Sequence, residues 1–363
     1  MAANRNDFSL RNEGEIDSAV LLSDPTISLY SLDVDAGEAL FVSTPPDLDL
    51  QAAPFYYQVQ FACAESLYTV DLDEFVELAE QIPAPRALVP VHNIGRCGST
   101  LLSRVFARHP AAVSYSEPDF FTMIAFQRTV NDPRDPLWSS LLRAGMRFTF
   151  RGLPSNANTG VVKFRSGCLN LLDLFLAEFP SAAHLFLFRD CFSWVESLVN
   201  LTGCHQDQSV LPRDKFGDYF RYFNGRGFDQ CLLPYDRLPD RLTCVERLTV
   251  SWLIYRDIVD ANRASLPDDA LVFAYDDLIA DSRSCVERIL RRAGLPLDDL
   301  PNCLDAMHRD SQEGTAFARI APDSPTRYRL RREDREQIDA ILALHPGKPD
   351  GLRFLPVFPE PVE

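Results

Sequence analysis

Along most of the chain, short apolar runs alternate with segments whose apolar residues recur at helical spacing. From residue 87 onward, the apolar runs predict strands at 87–93, 112–115, 160–164, 184–188 and 270–275. The run at 184–188 is almost wholly apolar, which is typical of a strand that is buried on both faces of a sheet. Because strand and helix signals alternate, we predict an α/β fold with a doubly wound, mainly parallel sheet.

The first 86 residues carry more strand signals, so we predict a small β-rich module there. Its strands are predicted at 27–29, 39–42, 55–61 and 67–72, with a hairpin through 63–66 and a helix at 73–82. We therefore divide the chain into a β-rich module at 1–86, an α/β domain at 87–345 and an extended, proline-rich tail at 346–363.

The segment at 94–101, Ile-Gly-Arg-Cys-Gly-Ser-Thr-Leu, joins the first strand of the α/β domain to a predicted helix. A glycine-bearing loop that enters a helix suits phosphate binding, because free backbone N–H groups and the positive end of the helix dipole converge there. Ser99 and Thr100 add hydroxyl donors, and Arg96 adds a permanently charged guanidinium. The loop of nucleotide triphosphatases has lysine after its last glycine. Here Gly98 is followed by Ser99 instead.

A second anion site is predicted where the strand at 184–188 ends. Arg189 follows this strand, and Asp190 can cap the next helix. Ser193 and Ser197 are four residues apart and so share one face of that helix. An arginine and two hydroxyls at a helix N-terminus can hold an anion, although such residues are often merely solvated.

Both segments resemble motifs of sulfotransferases that use 3′-phosphoadenylyl sulfate (PAPS). Gly-Arg-Cys-Gly-Ser-Thr-Leu-Leu at 95–102 resembles their 5′-phosphosulfate loop, and Arg-Asp followed by serine at 189–197 resembles their 3′-phosphate motif, with Cys191 where proline is frequent. The resemblance implies that the donor's 5′ end is held by Arg96, Cys97, Gly98, Ser99, Thr100 and Leu101. It implies that the 3′-phosphate is held by Arg189 and Ser197, and Ser193, on the same helical face, is a further candidate for binding the donor. Without it, the loop would be an ordinary strand–turn–helix corner.

Two residues at predicted strand ends are candidates for the chemistry. Lys163, in Val-Val-Lys-Phe-Arg-Ser, resembles the Lys-x-Pro-Arg segment of tyrosylprotein and carbohydrate sulfotransferases without its proline, which implies a contact with the sulfuryl oxygens. The alternative is a lysine at the rim of the sheet. Glu117 resembles the general base of the tyrosylprotein type, although it could instead be an acid that interacts with a helix dipole. His92, the base type of the cytosolic small-molecule branch, precedes the loop, and we expect it to pack in the core.

Later segments carry weaker candidates. Tyr275-Asp276-Asp277-Leu278 looks like the family's Tyr-Glu-Asp-Leu strand end near the donor, which implies a donor contact for Tyr275. The polar segment at 310–315 resembles a late loop that covers the donor in relatives, so Ser311 and Arg319 are candidates, unless this is an ordinary solvated loop. The resemblance covers about residues 87–295, and the Arg-Lys-Gly-type motif of the small-molecule branch is absent.

Composition narrows the classes of partner. A formal net charge of −16 over 363 residues argues against a nucleic-acid partner, which would need a basic face. No apolar stretch is long enough to cross a membrane, and the N-terminus does not resemble a signal peptide, so we expect a cytoplasmic protein. The nine cysteines include no Cys-x-x-Cys pair, and the six histidines lack ligand spacing, so we expect reduced, mostly buried thiols and no metal.

We therefore predict an enzyme that transfers the sulfuryl group of PAPS to a hydroxyl or amine of a small-molecule or peptide acceptor. Glu117 is predicted as the general base of an in-line displacement, and Arg96 and Lys163 as the groups that stabilise negative charge. Two alternatives stay open, a P-loop nucleotide-dependent kinase and a non-catalytic module that binds adenosine bisphosphate. The aperiodic segments at 127–158 and 202–240 carry no motif, and we expect acceptor specificity there, with 202–240 as a long surface excursion. No motif specifies the oligomeric state.

Overall fold

The computed structural model describes residues 5–8, 13–129, 131–154, 156–204, 210–225, 229, 231–312, 315, 324 and 327–352. The candidate Arg319 and most of the predicted tail lie outside these ranges.

The strands are β1 (Glu13–Glu15), β2 (Ile27–Asp33), β3 (Glu38–Ser43), β4 (Ser66–Asp71), β5 (Ala87–Asn93), β6 (Ala112–Ser116), β7 (Thr159–Lys163), β8 (Leu185–Phe188), β9 (Leu211–Pro212), β10 (Arg241–Leu242) and β11 (Leu271–Ala274). The helices are α1 (Ser18–Ser23), α2 (Tyr56–Ala62), α3 (Leu72–Ala79), α4 (Ser99–Ala107), α5 (Asp119–Gln127), α6 (Asp135–Thr149), α7 (Leu172–Glu178), α8 (Cys191–Thr202), α9 (Arg213–Asn224), α10 (Cys244–Ala261), α11 (Tyr275–Ala280), α12 (Ser282–Arg292), α13 (Leu300–Asp305) and α14 (Arg332–Leu344). Short 3-10 segments lie at Arg5–Asp7, Leu50–Ala52, Ser166–Leu171, Tyr235–Arg237, Arg263–Ser265 and Ala306–His308.

The main sheet has five strands in the order β11-β8-β5-β7-β6, all of them parallel. Every residue of β7 and β8 is buried, and for β8 this confirms what its apolar run predicts. The chain leaves β5 on one side for β6 and β7 and crosses to its other side for β8, so β5 is a topological switch point. The predicted α/β fold with a doubly wound, parallel sheet is confirmed.

The predicted N-terminal sheet is also present, with strand order β1-β4-β3-β2. Its residues belong to the same hydrophobic cluster as α5 and α6, which cover one face of the main sheet. The ring of Phe75 on α3 lies 4.9 Å from that of Phe148 on α6 and 5.5 Å from that of Phe120 on α5. The N-terminal sheet therefore packs against the helix that follows Glu117 and completes its core.

The strand predicted at 55–61 is wrong, and with it the hairpin through 63–66, because this segment forms the helix α2. Its buried residues are Tyr56 and Gln60, which are four positions apart and lie on one helical face. The Gln60 side-chain amide donates to the backbone oxygen of Leu29 at 3.0 Å, so the segment is fixed by a buried polar contact. Phe61, which a strand would have placed on the buried side with Tyr57 and Val59, is 39% exposed in the helix.

The segment at 202–240 is less of a surface excursion than predicted. It contains β9 and α9, and Phe216 and Phe220 of α9 are buried in the main core. These two phenylalanines have a helical spacing that the surrounding tyrosines and charged residues obscure.

Two further findings concern the cysteines and the membrane. Cys204 and Cys244 form a disulfide with Cα atoms 6.1 Å apart, which corrects the expectation that all thiols are reduced.

In the part of the chain that the structure describes, no helix has both the length and the apolarity that a membrane span requires.

Candidate active site

The sequence-predicted residues lie along the carboxyl edge of the main sheet. Arg189 follows β8, the 94–98 loop follows β5, Lys163 ends β7, and Glu117 follows β6. Because these four strands are neighbours in that order, the residues occupy consecutive positions along one edge. Ligands of open parallel sheets bind at such an edge, next to a switch point.

The loop after β5 has an unusual backbone that nearby side chains hold in place. Gly95, Arg96 and Gly98 have φ values of 76°, 54° and 84°, in the left-handed region that glycine adopts readily and arginine rarely does. Asn93 Oδ1 accepts from the Gly95 N–H at 2.9 Å, and Trp194 Nε1 of α8 donates to the Gly95 carbonyl at 2.9 Å. Side chains from a strand and from a second helix therefore fix the loop at the start of α4.

Two arginines converge at this loop. Arg96 Nε donates to Ser197 Oγ at 3.1 Å, and Arg189 Nη1 donates to the Arg96 carbonyl at 3.2 Å. The Arg189 guanidinium also lies 4.5 Å from the ring centroid of Tyr275. We call the cavity of about 80 Å³ between them the donor pocket, which is lined by Arg96, Gly98, Ser99, Thr100, Leu101, Arg189, Tyr275, Asp310, Ser311 and Gln312. At roughly 30 Å³ per water molecule, this space suits one phosphate-sized group.

The charges in the donor pocket favour an anion. Burial and the charge of Arg189 lower the pKa of Arg96, and nearby Tyr275 and Asp310 offset only part of that effect. Among the described residues, the buried Nε of Arg189 has no hydrogen-bond partner. Since two guanidiniums that repel each other are stabilised by a bound anion, the pocket is suited to a phosphate or sulfate group.

Gly98 is constrained by space as well as by conformation. A Cβ atom at this position would lie 3.0 Å from the Tyr275 ring, and the positive φ would strain any L side chain. Cys97 beside it is buried, and burial raises the pKa of its thiol even though Lys163 and Arg189 both act to lower it. Both cations are thus within electrostatic range of the loop.

The segment at 310–312 lies across the donor pocket. Gln312 Oε1 accepts from Arg96 Nη1 at 2.8 Å, and Gln312 Nε2 lies 3.5 Å from Thr100 Oγ1. Ser311, which the sequence analysis singled out, lines the pocket beside it. Sequence reasoning did not assign a role to Gln312, and its only signal was a place in the polar segment.

The two serines of α8 differ in their contacts. Ser193 donates its backbone N–H to Asp190 Oδ1 at 2.9 Å, and its hydroxyl donates to the same carboxylate. Ser193 therefore belongs to the cap of α8, whereas Ser197 contacts Arg96.

Lys163 and Glu117 form an ion pair two strands away from Arg189. The Glu117 N–H donates to the Lys163 carbonyl at 2.7 Å, and Glu117 has a positive φ of 63°, which is rare for a residue with a side chain. Their side chains are 3% and 13% exposed. Arg96 and Glu117 are two of only four described non-glycine residues with positive φ, and such conformations cluster at functional sites.

A second carboxylate, which the sequence analysis did not single out, lies beside this pair. Arg165 Nη1 is 3.1 Å from Asp119 Oδ1 and its Nε is 3.9 Å from Glu117 Oε2, so one guanidinium serves both acids. Asp119 is fully buried, and burial raises its pKa to about 6, although Arg165 acts in the opposite direction. Arg165 lies 5.0 Å from the ring of Tyr57, so the N-terminal region reaches this end of the site. Asp119 and Arg165 each lie two positions from a predicted site residue. Their contact joins segments that are 46 positions apart and could not be predicted from the sequence.

His92 packs in the core, as expected. Its Nε2 lies 3.1 Å from His184 Nδ1, and its ring stacks on Phe186 with centroids 4.8 Å apart. Burial, with a smaller effect from His184, holds the pKa of His92 well below its usual value. A buried imidazole in this position is not available to a substrate.

No family model matches the chain, and no curated protein sequence matches it. Similar solved structures include a sulfotransferase from Mycobacterium avium, at 14% identity and a TM-score of 0.43 over 77% of this chain and 81% of that one. A sulfotransferase from Mycobacterium tuberculosis is similar at 16% identity and a TM-score of 0.41 over 76% of this chain and 80% of that one. Retinol dehydratase in complex with retinol and PAP is similar at 14% identity and a TM-score of 0.32 over 76% of this chain and 87% of that one. These are likenesses of fold, and the chemistry of this chain rests on its own residues.

Proposed function

We propose that this protein is a PAPS-dependent sulfotransferase. The observation that carries the proposal is the convergence of Arg96, Arg189 and the Ser197 hydroxyl on a glycine-bearing loop at the start of α4. This pocket has the donors and the positive charge that a phosphate group needs. The loop of this pocket follows β5, the direct neighbour of β7, so Lys163 and its partner Glu117 lie beside it on the same sheet edge.

In this proposal the donor's phosphate groups are bound by the donor pocket and the N-terminus of α4. Arg96 would exchange its contact with Gln312 for a donor oxygen, which gives the 310–312 segment the role of a cover. Tyr275 holds Arg189 from the side, so that its planar guanidinium is oriented before the donor binds.

The transfer step would take place near Lys163 and Glu117. An acceptor oxygen or nitrogen attacks sulfur, and the bond from sulfur to the bridging phosphate oxygen breaks as the nucleotide leaves with that electron pair. Glu117 takes the acceptor's proton, and Lys163 donates to the developing negative charge. The acceptor is a small molecule or a peptide that reaches this edge.

The kinase alternative is less well supported by the same loop. A P-loop kinase places lysine after the last loop glycine to contact the terminal phosphates, whereas Ser99 stands there and begins α4. The non-catalytic alternative shares the donor pocket but gives no role to the strained, paired Glu117.

The test is a comparison of nucleotides followed by an assay of transfer. Isothermal titration with PAP and with ATP should show binding of PAP and much weaker binding of ATP. Sulfur-labelled PAPS should then lose its label to a panel of phenols, alcohols, amines and tyrosyl peptides, or slowly to water. Preferential ATP binding would overturn the proposal in favour of a kinase. PAP binding without any turnover of PAPS would instead favour the non-catalytic module.

A further inference from the structure

A second, larger cavity adjoins the donor pocket along α4. Its volume is about 660 Å³, which is within the usual range for small-molecule sites. We call it the arginine cavity, and it is lined by Asp49, Gln51, Ala52, Arg104, Ala107, Arg108, Ala306, Arg309, Asp310 and Ser311. Asp310 and Ser311 also line the donor pocket, so the two cavities share one wall.

Three arginines face this cavity from two elements. Arg104 lies in the last turn of α4, Arg108 is the residue that caps its C-terminus, and Arg309 follows the 3-10 segment Ala306–His308. In the ranges that the structure describes, none of the three is within 4.0 Å of a carboxylate oxygen. Three arginines and two aspartates line the cavity, so its lining is net positive in a chain whose net charge is −16.

The two aspartates in the lining are already engaged by backbone groups. Asp49 Oδ1 accepts from the N–H groups of Gln51 and Ala52 at 3.0 and 3.2 Å, and Asp310 Oδ1 accepts from the Gln312 N–H at 3.0 Å. Burial and the charge of Arg108 lower the pKa of Arg104, and Asp49 offsets only part of this. The positive charge in the cavity is therefore only partly neutralised from within the chain.

We propose that the arginine cavity binds a small molecule through its phosphate or sulfate ester group, separately from the nucleotide in the donor pocket. Arginine suits this role because its planar guanidinium donates two parallel hydrogen bonds to such a group. Arg104, Arg108 and Arg309 together present three of these groups to one space. The proposal does not depend on the identity of the donor nucleotide.

Inorganic pyrophosphate is the probe for this site, in protein whose donor pocket carries Arg189→Gln. Isothermal titration at low ionic strength compares this parent with the same protein carrying Arg108→Gln and Arg309→Gln. Both of these arginines are exposed, so the fold should survive, which a thermal melt verifies. Arg332→Gln with Arg291→Gln is the matched control, because it also removes two exposed arginines and neither of them lines the cavity.

The parent should bind pyrophosphate, the double substitution should weaken binding about tenfold or more, and the control should leave it unchanged. Equal binding by the parent and the double variant, or no binding by the parent, overturns the proposal. A second titration, of PAP into otherwise native protein, identifies the source of the anion. If Arg108→Gln with Arg309→Gln weakens PAP binding as strongly as pyrophosphate binding, the cavity serves the donor nucleotide and the separate ligand is ruled out.

Discussion

The two ends of the candidate active site differ in how their charged side chains are arranged. At the β8 and β5 end, Arg96 and Arg189 lie close together and contact a hydroxyl, a carbonyl and an aromatic ring. At the β7 and β6 end, Lys163 is paired with Glu117, and Arg165 with Asp119. At the first end two guanidiniums repel each other, and at the second each cation is paired with a carboxylate.

This difference suggests separate roles for the two ends in binding and in turnover. Two neighbouring cations stabilise a bound polyanion, because their mutual repulsion is relieved when the anion binds. A balanced carboxylate–lysine pair adds little affinity for an anion, but it can take up a proton and present a cation to a reacting group. Binding should therefore depend on the arginine end, and turnover on the lysine–glutamate end.

The largest effect is expected from Glu117→Gln, which keeps the shape of the side chain but removes the carboxylate that we propose as the base. We expect turnover of PAPS to fall by about 10² to 10⁴-fold, as is typical for loss of a general base, while PAP affinity changes by less than about threefold. Label transfer and isothermal titration measure the two quantities. Glu336→Gln, on an exposed turn of α14, is the control. Undiminished transfer by Glu117→Gln would show that this residue is not the base.

The next largest effect is expected from Arg189→Gln, at the other end. Loss of charge-assisted hydrogen bonds should weaken PAP binding by about ten- to a hundredfold. The salt dependence of PAP binding should also become shallower, because one cation fewer contacts the nucleotide. Arg291→Gln, at an exposed arginine of α12, controls for net charge. If PAP binds equally well to both variants, the donor pocket is misassigned and the comparison fails.

A pH-dependent effect on stability is expected from Asp119. Burial raises its pKa to about 6, from an ordinary value of 3.8. Because the folded-state pKa is the higher one, Asp119 contributes stability below about pH 4 that is lost as the pH rises through about 6. Between about pH 4.5 and about pH 7.5, Asp119→Asn should therefore gain about 1–3 kcal/mol in free energy of unfolding relative to the native protein.

Urea unfolding at several pH values measures this gain. Asp298→Asn, at an exposed residue, is the control for the loss of one aspartate and is measured at the same pH values. A constant difference for Asp119→Asn would mean that Asp119 ionises normally, and that Arg165 balances it completely.

The smallest effect is expected from the ring beside Arg189. Tyr275→Leu removes the face on which the guanidinium rests, and PAP binding should weaken about three- to tenfold. Tyr275→Phe keeps the ring and should bind PAP nearly as well as the native protein. Equal losses in both variants would assign the contribution to the hydroxyl group rather than to the ring.

The parts of the fold that could be predicted are those that local sequence determines. The strand β8 is buried on both faces and therefore reads as a continuous apolar run. The loop at 94–98 was found because its glycines, arginine and hydroxyls are contiguous. The strand prediction at 55–61 is wrong because seven residues can alternate by chance. Gln60, whose buried contact fixes the helix, would be taken for a surface residue from the sequence.

The parts of the site that could not be predicted depend on contacts between distant residues. Gln312 meets Arg96 across 216 positions, and Arg165 meets Asp119 across 46. The Cys204–Cys244 disulfide joins residues 40 positions apart, and pairings of this kind cannot be deduced from spacing. The sequence motifs therefore point to both ends of the candidate site but not to the residues that contact them from other segments.

The shared packing of the N-terminal sheet limits how this protein can be shortened. Phe75 fills the space between α5 and α6, and Tyr57 contacts Arg165 beside the proposed base. A fragment that begins at β5 would retain the 94–98 loop but expose buried phenylalanines of α5 and α6 to water, so we expect it to aggregate. Any shortened version of the protein must therefore keep the N-terminal sheet together with the main sheet.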